Sequence, residues 1–297
     1  MCGISGFISN KKLIRNNAIV NTLDLMKNRG PDYNSSYTQI VDDKNISLLH
    51  SRLKIIDIHS RSNQPYRYKN FILIFNGEIY NFIELRNKLK KIFKFDTSSD
   101  TEVLLKSYIA YGKKCVDHLE GMWSFAIWDI KKKSLFLSRD PFGEKPLFFY
   151  YSKDGFFFGS EIKYIKSLCE KNFILNKTQV KKNLFLGYKS LNKTTDTFYD
   201  KIFSLESGTN LTLDLKLNFK KEKYWQPKIK INKKMNLTDA VDGVRSLLLN
   251  SLKIRMRSDV PLAFCLSGGI DSGLLASIAK KKLNKKISTF SIIDRDP

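Results

Sequence analysis

The chain has 297 residues, of which 42% are hydrophobic and 12% aromatic, which is enough to form packed cores and too much for a disordered protein. The net charge of +23 comes from lysines spread along the whole sequence, so we interpret it as a compositional bias and do not expect nucleic acid as a partner. No long apolar run predicts a transmembrane helix, and the N-terminus lacks the pattern of a secretory signal, so no membrane partner is expected either.

The length favours about two domains. The cysteines are scattered without a CxxC pair, and histidine is rare, so neither a zinc site nor a disulfide framework is expected. Reduced cysteines are typical of a cytoplasmic protein, and this is the predicted location.

The first two thirds of the chain predict short strands interrupted by helices. The predicted strands are Gly3–Ser9, Ile46–His50, Leu53–Ile58, Phe71–Phe75, Met122–Asp129, Ser134–Arg139, Leu147–Tyr151, Phe156–Phe158 and Thr209–Leu217. The predicted helices are Asn17–Asn28, Asn81–Ile92 and one that starts after Ser98-Ser99-Asp100 and ends at Gly112, with Glu102 placed as in a capping box after Ser99. Two sheets with helices outside them would bury this aromatic and β-branched surface.

The last third predicts a different architecture. Asn218–Asn236 is polar and lysine-rich, which indicates a linker, and Leu237–Met256 has the spacing of an amphipathic helix. The apolar run Pro261–Leu266, a glycine loop, a helix and the apolar run Ile287–Ile293 then form one βαβ unit. Because a lone βαβ unit cannot bury both faces of its sheet, we expect this domain to be truncated.

Cys2 follows the initiator methionine directly. Small residues at this position generally permit removal of the methionine, which would leave a thiol and a free α-amine on one residue. An α-amine titrates near ~7.7–8, so part of it is neutral at pH 7 and can activate the thiol as a base. The alternative from position alone is a small buried cysteine in the first strand.

Asn76-Gly77 lies between apolar runs and permits two interpretations. It could form a hairpin turn, or the Asn76 amide and the Gly77 N–H could form an oxyanion hole. Arg52 could bind a carboxylate through paired hydrogen bonds. Asp100 could accept from an ammonium group or serve as a helix N-cap. His50 has no visible acid partner, and we interpret it as structural.

The loop Ser267-Gly268-Gly269-Ile270-Asp271-Ser272 lies between a predicted strand and a predicted helix. Glycines let backbone N–H groups turn inward, and the helix N-terminus adds partial positive charge, which suits phosphate oxygens. The Gly-Lys-Ser/Thr of a Walker A loop is missing. An ordinary glycine-rich turn with an N-cap is the alternative.

Several motifs taken together resemble the glutamine-hydrolysing asparagine synthetases. They are MCGISGF at the N-terminus, RGPD at 29–32, HSRLKIID at 50–57, FNGEIYN at 75–81, SDTE at 99–102, GMWSFAIWD at 121–129, RDPFGEKPLFF at 139–149, GSEIK at 159–163 and SGGIDS at 267–272. Their order and spacing extend from the first residue to nearly the last. The resemblance favours catalysis over the structural interpretation of Cys2.

The resemblance implies an α+β four-layer αββα sandwich of the N-terminal-nucleophile hydrolase type, followed by the start of an α/β parallel-sheet domain. The expected division is a class II glutamine amidotransferase domain at 2–217, a linker at 218–236 and the beginning of an ATP-pyrophosphatase domain at 237–297.

Cys2 would be the nucleophile that hydrolyses glutamine, with Asn76 and Gly77 as the oxyanion hole. The implied glutamine-binding residues are Arg52 for the carboxylate, Asp100 for the α-ammonium, and Ile55, Ile56, Asn76, Gly77 and Glu78 around the pocket. Ammonia would then pass through an internal tunnel to the second site.

The second site would bind ATP with Mg²⁺ and activate aspartate by adenylation, yielding asparagine, AMP and pyrophosphate. The implied ATP-binding residues are Leu266, Ser267, Gly268, Gly269, Asp271, Ser272 and Ile292, with Asp271 also near the metal. The implied partners are L-glutamine, ATP and L-aspartate, and a homodimer is compatible with the resemblance. The truncated chain is expected to retain only the glutaminase half.

Three alternatives remain at this stage. Relatives with this layout amidate other carboxylates, including sugar acids of polysaccharide pathways, and some form lactams. A tRNA-modifying enzyme with a pyrophosphatase loop would suit the positive charge, although the glutaminase motifs speak against it. A non-catalytic relative with a structural or regulatory role is the third.

Overall fold

The fold is described from a computed structural model, which describes residues 1–10, 16–188 and 193–293. The chain divides into two compact units. The first consists of Met1–Lys54 and His59–Gln226, and the second consists of Ile55–Ile58 together with the chain from Pro227 onward. No helix in the described ranges is long and apolar enough to cross a lipid bilayer.

The first unit is built from short antiparallel strands and five helices within its described residues. Its strands are β1 (Gly3–Asn10), β2 (Tyr33–Val41), β3 (Lys44–Arg52), β4 (Tyr66–Tyr68), β5 (Phe71–Ile79), β6 (Gly121–Asp129), β7 (Ser134–Arg139), β8 (Phe148–Ser152), β9 (Gly155–Gly159), β10 (Ile202–Ser204), β11 (Thr209–Asp214) and β12 (Phe219–Lys223). Its helices are α1 (Asn16–Met26), α2 (Phe82–Leu89), α3 (Asp100–Tyr111), α4 (Ile162–Cys169) and α5 (Lys177–Leu186), with 3₁₀ turns at Ser60–Ser62 and Gly112–His118.

The strands form two antiparallel sheets. One has the order β10-β8-β9-β1-β3-β2 and the other β12-β11-β7-β6-β5-β4. Successive side chains of a strand point to opposite faces, so each sheet can bury apolar residues on both sides. In β5, Ile72 and Ile74 join the core between the sheets, whereas Leu73 and Phe75 pack with α2 and α3 outside.

The other sheet repeats this arrangement. Ile4 and Ile8 of β1 belong to the core between the sheets, whereas Phe7 packs outside with Met26 of α1 and Tyr164 of α4. The result is helices, sheet, sheet and helices, which confirms the predicted αββα sandwich.

Two segments contradict the predicted secondary structure, and β2, β4 and β10 lie where no strand was predicted. Leu53–Ile58 is not a strand, because β3 ends at Arg52 and its partner β1 begins only at Gly3, paired with Ser51. Phe219–Lys223, inside the segment that we interpreted as a linker, forms β12 on β11. Its charged residues suit an edge strand, where one side of the backbone stays open. The predicted domain boundaries stay a prediction.

The start of α3 also differs in detail from the predicted capping box. Ser99 is the N-cap, but its side chain accepts from Thr101 N–H and Glu102 does not return a bond to it. The Glu102 carboxylate instead accepts from Thr97 N–H at 2.8 Å and pairs with the buried Lys106 at 2.5 Å. A buried ammonium one turn away holds this carboxylate more strongly than an exposed cap would.

The second unit contains α6 (Leu237–Arg255), β13 (Ala263–Cys265), α7 (Ile270–Lys281) and β14 (Ser288–Phe290). Asn236 and Asp239 form a complete capping box at the start of α6. β13 and β14 are parallel neighbours, as expected when a helix connects them. This confirms the predicted start of an α/β parallel-sheet domain.

Candidate active site

Cys2 lies where β1 begins and β3 ends. Its Sγ accepts a hydrogen bond from the backbone N–H of Leu53 at 3.3 Å, and the Leu53 carbonyl lies 3.5 Å from the same sulfur. The antiparallel register pairs Gly3 with Ser51, so Cys2 comes level with the end of β3. The thiol is therefore fixed by backbone geometry at the edge of the sheet.

The environment of Cys2 disfavours the free thiolate. Burial raises the pKa of the Cys2 thiol, and the carboxyl of Asp100 raises it as well. The hydrogen bond with Leu53 and the positive charge of Arg52 lower this pKa and so oppose part of the effect. The thiolate is the nucleophilic form of cysteine. A base is therefore needed to take the thiol proton near neutral pH.

Arg29 fixes the backbone of Cys2 and was not singled out by the sequence analysis. Its Nε–H donates to the Cys2 carbonyl at 2.9 Å, and its Nη1 pairs with Glu161 at 3.3 Å. The sequence analysis included Arg29 only in the RGPD motif, whose glycine and proline favour a tight turn. A charged residue beside the glycine and proline of that turn was the available signal.

Asn76 and Gly77 lie inside β5, where they pair with Ser124 and Trp123 of β6. The hairpin interpretation of this Asn-Gly pair is therefore wrong. The Asn76 side chain is buried, and its Nδ2 donates to Ser124 Oγ at 3.5 Å. Such a buried amide has a fixed orientation, as an oxyanion hole requires.

Gly77 has no room for a side chain. A Cβ built on it would lie 2.1 Å from the backbone oxygen of Met122 and 2.8 Å from Cα of Trp123, both in the neighbouring strand. We expect Gly77→Ala to lower the free energy of unfolding by about 3 kcal/mol or more, since β5 and β6 would have to separate. Urea denaturation followed by circular dichroism measures this change.

Gly243→Ala is the matched control for that experiment. Gly243 lies in α6, and a Cβ there meets nothing within 4 Å, so this change should be neutral or stabilise by up to about 1 kcal/mol. Equal stability of Gly77→Ala and the wild-type chain would contradict the close approach of the two strands.

His50 joins the two sheets immediately beside Asn76. Its buried ring bonds through Nε2 to the carbonyl of Phe75 at 3.1 Å. Burial lowers the pKa of His50 to about 3, so the ring is neutral and Nε2–H must be the donor to that carbonyl. The geometry agrees with a structural histidine, which holds β5 in place against β3.

The Arg52 side chain is buried at the end of β3. Its Nη1 donates to the carbonyl of His59 at 2.9 Å and to Asn63 Oδ1 at 2.7 Å. These contacts fix the guanidinium near the thiol, whose pKa it lowers. Its assignment to the glutamine carboxylate stays a prediction.

Asp100 is the first residue of α3, so the N-cap interpretation is wrong and Ser99 has that position. Its Oδ2 accepts from the backbone N–H of Ile79 at 3.0 Å, and its Oδ1 accepts from Ser99 Oγ–H at 3.3 Å. These bonds place the carboxyl at the end of β5. Burial, opposed by the bond from Ile79, raises the pKa of Asp100 to about 7.

The remaining predicted glutamine-binding residues fall into two places. Glu78 lies in β5 next to Gly77. Ile55 and Ile56 belong to the second compact unit, where the Ile55 carbonyl accepts from Asp259 N–H at 3.0 Å. Their participation in the glutamine pocket stays a prediction.

The glycine loop lies between β13 and the N-terminus of α7. Gly268 has a φ of +80°, which glycine adopts readily, and Gly269 is the N-cap without a side-chain hydrogen bond. Ser272 Oγ accepts from Ser267 N–H at 3.3 Å and donates to the Gly269 carbonyl at 3.2 Å. The Gly269 N–H donates to Ser267 Oγ at 3.4 Å, and the first turn of a helix also has N–H groups without an intrahelical acceptor, which suit the phosphates of ATP.

The other predicted ATP-site residues lie at the same edge of the small sheet. Leu266 N–H donates to the carbonyl of Phe290 at 2.8 Å, and Ile292 follows β14 two residues later. Asp271 is in the first turn of α7. No group of three or more potential metal ligands occurs in the described residues. A metal at Asp271 stays a prediction.

Residues 1–225 match the sequence model of the glutamine amidotransferase domain. The chain belongs to the glutamine amidotransferase domain family. Residues 243–293 match the model named asparagine synthase. The two matches confirm the resemblance that the motifs indicated.

The chain is similar to curated proteins named asparagine synthetase. It is 36% identical to the putative asparagine synthetase [glutamine-hydrolyzing] 2 of Methanocaldococcus jannaschii, over 98% of this chain and 59% of that protein. It is 34% identical to asparagine synthetase [glutamine-hydrolyzing] 3 of Bacillus subtilis, over 98% of this chain and 48% of that protein. The chain thus spans about half the length of these relatives.

Solved structures support the fold class. The glutamine phosphoribosylpyrophosphate amidotransferase of B. subtilis matches with a TM-score of 0.53 at 17% identity, over 99% of this chain and 67% of that one. A structure described as the allosteric regulatory enzyme of purine biosynthesis matches with a TM-score of 0.54 at 16% identity, over 99% of this chain and 66% of that one. This likeness supports the predicted αββα sandwich.

Proposed function

We propose that this chain hydrolyses L-glutamine to glutamate and ammonia with Cys2 as the nucleophile. One observation carries the proposal: the Arg52 guanidinium and the Asp100 carboxyl are both buried, and both shift the pKa of the Cys2 thiol. A free amino acid offers one carboxylate and one ammonium, which these two groups complement. Cys2, Arg52 and Asp100 lie in the same compact unit.

The proposed reaction begins after Met1 has been removed. The α-amine of Cys2 takes the thiol proton, and Sγ forms a bond to the carboxamide carbon of glutamine. The Asn76 amide and the Gly77 N–H donate to the oxyanion of the tetrahedral intermediate. The C–N bond then breaks as the ammonium of Cys2 returns its proton to the leaving ammonia, and water hydrolyses the thioester to release glutamate. Ile55, Ile56 and Glu78 would line the glutamine pocket.

Release of glutamate and ammonia by purified protein tests this function. Mass spectrometry first establishes that Cys2 is the N-terminal residue, and both products are then measured against time with L-glutamine. Stoichiometric release supports the proposal. Absence of both products from correctly processed, folded protein would contradict it.

The ionisation of Asp100 should control glutamine affinity. Only the carboxylate pairs well with the α-ammonium of glutamine, and the pKa of Asp100 is raised to about 7. We therefore expect the KM for glutamine to rise about tenfold per pH unit below pH 7. Asp100→Asn should have a higher KM than the wild-type chain at pH 8, and this KM should be the same at all pH values tested. Steady-state kinetics between pH 5.5 and pH 8.5 measure this.

The same raised pKa has a consequence for stability that is independent of substrate. Because an unfolded aspartate ionises near pH 4, the contribution of Asp100 to the free energy of unfolding is complete below that pH and is lost as the pH rises through 7. Asp100→Asn should therefore weaken the decline of stability between pH 4 and pH 7. An unchanged pH dependence of both KM and stability in Asp100→Asn would contradict the assignment.

We further propose that the whole protein is a cytoplasmic glutamine-dependent asparagine synthetase, a ligase. The matches to asparagine synthase and to the relatives of that name support this. ATP would be held by Leu266, Ser267, Gly268, Gly269, Ser272 and the region of Ile292, with Asp271 near Mg²⁺. When bound, ATP supplies the adenylyl group that activates an aspartate carboxyl for amidation. A homodimer is the proposed assembly.

A further inference from the structure

Lys145 is a buried cation beside the N-terminus. Its side chain lies in the connection between β7 and β8, and only 6% of the residue is exposed. Its Nζ lies 3.5 Å from the Sδ of Met1, and it makes no ion pair within the part of the chain that the structure describes. Burying an unpaired ammonium is costly, so such a lysine is a candidate for a functional role.

The backbone around Lys145 is fixed by its neighbours. The Asp140 carboxylate accepts from the N–H groups of Phe142, Glu144 and Lys145 at 2.9–3.0 Å. Arg139 Nε–H donates to the Lys145 carbonyl at 2.8 Å. These bonds hold the segment of the RDPFGEKPLFF motif in a single conformation. The position of Lys145 beside the N-terminus is therefore built into the fold.

Arg29 approaches the same methionine from another element. Its Nη2 lies 4.0 Å from Met1 Sδ, while its Nε–H holds the Cys2 carbonyl. Two cations thus flank the Met1 side chain. Removal of Met1 creates a new α-amine on Cys2, one residue along from the amino terminus on which both cations act. Since protonation would create a third positive charge there, both cations disfavour it.

Acidic groups also face this region, and one of them, Glu161, pairs with Arg29. The charged groups that face the N-terminus, Lys145 or the Cys2 thiol are Arg29, Asp32, Arg52, Glu78, Asp100, Glu144 and Glu161. Burial, Arg29 and Lys145 lower the pKa of the Met1 amino terminus. The Cys2 thiol and Asp32 raise this pKa in part. Burial lowers the pKa of Lys145 as well, and Glu78 and Glu144 raise it.

We propose that Lys145 is a positioning residue that keeps the α-amine of Cys2 neutral, and so able to accept the thiol proton, after Met1 has been removed. Lys145 acts through the amine and does not contact the reacting atoms. The inference rests on the proposed glutaminase function for its consequence in catalysis. It gives a role to a motif that the roles of Cys2, Arg52, Asn76 and Asp100 left unexplained.

The first test is the pH dependence of kcat at saturating glutamine, where Asp100 is already paired with substrate. Lys145→Met removes the charge and keeps a similar volume. The acid limb of the kcat profile of this variant should move to higher pH. Its kcat should be reduced about threefold to tenfold at pH 6.5 and should be near the wild-type value at pH 8.5. Lys145→Arg should restore the wild-type profile. Lys153→Met, at an exposed position in the turn between β8 and β9, is the charge-matched control and should change nothing.

The second test reads the amine directly and does not need turnover. Nuclear magnetic resonance of protein labelled with ¹³C-cysteine, with Cys2 assigned by its loss in Cys2→Ser, follows the titration of the α-amine. The midpoint should rise in Lys145→Met and return in Lys145→Arg. An unchanged midpoint in Lys145→Met would overturn the inference. Lys145→Gln, read in the same way, replaces the methionine variant if that variant does not fold.

The two tests separate the inference from the proposed function. Wild-type protein that releases no ammonia would contradict the glutaminase, while the amine titration would still decide the role of Lys145. Wild-type activity with identical pH profiles in Lys145→Met would leave the glutaminase intact and refute the role of Lys145.

Discussion

Cys2→Ala is expected to abolish glutamine hydrolysis, with kcat reduced by at least about 10³-fold. Alanine has no Sγ to form the thioester, and no other cysteine lies at the start of β1 or the end of β3. Among the residues that the structure describes, the Cys2 thiol forms its hydrogen bonds with Leu53, so the variant should fold normally. Continuous measurement of ammonia release, with circular dichroism for the fold, measures both effects.

Cys265→Ala is the matched control, because Cys265 is an exposed cysteine in the second unit. It should hydrolyse glutamine at the wild-type rate. Retained hydrolysis in Cys2→Ala would mean that another group is the nucleophile, and the proposed reaction would then be wrong.

A chain that carries an uncleaved peptide before Cys2 is expected to be equally inactive. With any residue attached, the nitrogen of Cys2 is an amide, which cannot accept the thiol proton. Burial raises the pKa of the thiol, so the thiolate does not form readily without that base. We expect a loss of at least about 10³-fold in kcat, reversed when a site-specific protease cuts immediately before Cys2.

Three comparisons make this experiment specific. The same extension on Cys2→Ala should stay inactive after cleavage, and an extension at the C-terminus of the wild-type chain should leave hydrolysis unchanged. The thiol of the uncut chain should still react with iodoacetamide at high pH, which separates loss of the base from occlusion of Cys2. Full activity before cleavage would exclude the α-amine as the base.

The strand pattern was readable in the sequence wherever both faces of a strand are buried in apolar layers. The continuous apolar run Phe71–Phe75 in β5 is typical of such a strand, since Ile72 and Ile74 fill one core and Leu73 and Phe75 another. The sequence also predicted a strand at Leu53–Ile58, beyond the end of β3, because its apolar residues look the same as those of a strand. That boundary depends on where the partner strand β1 begins.

The sequence proposed residues for the candidate site but not the contacts that those residues make. The position of Cys2, the SGGIDS loop and the ordered motifs are local features, and the sequence by itself determined the family from them. The tertiary structure decided that Asn76-Gly77 lies in a strand, that Ser99 caps α3 and that His50 is a neutral link between sheets. It also decided that Lys145 and Arg29 flank the N-terminus. Burial and hydrogen bonds between distant residues set these features, and neither spacing nor composition encodes which distant residues meet.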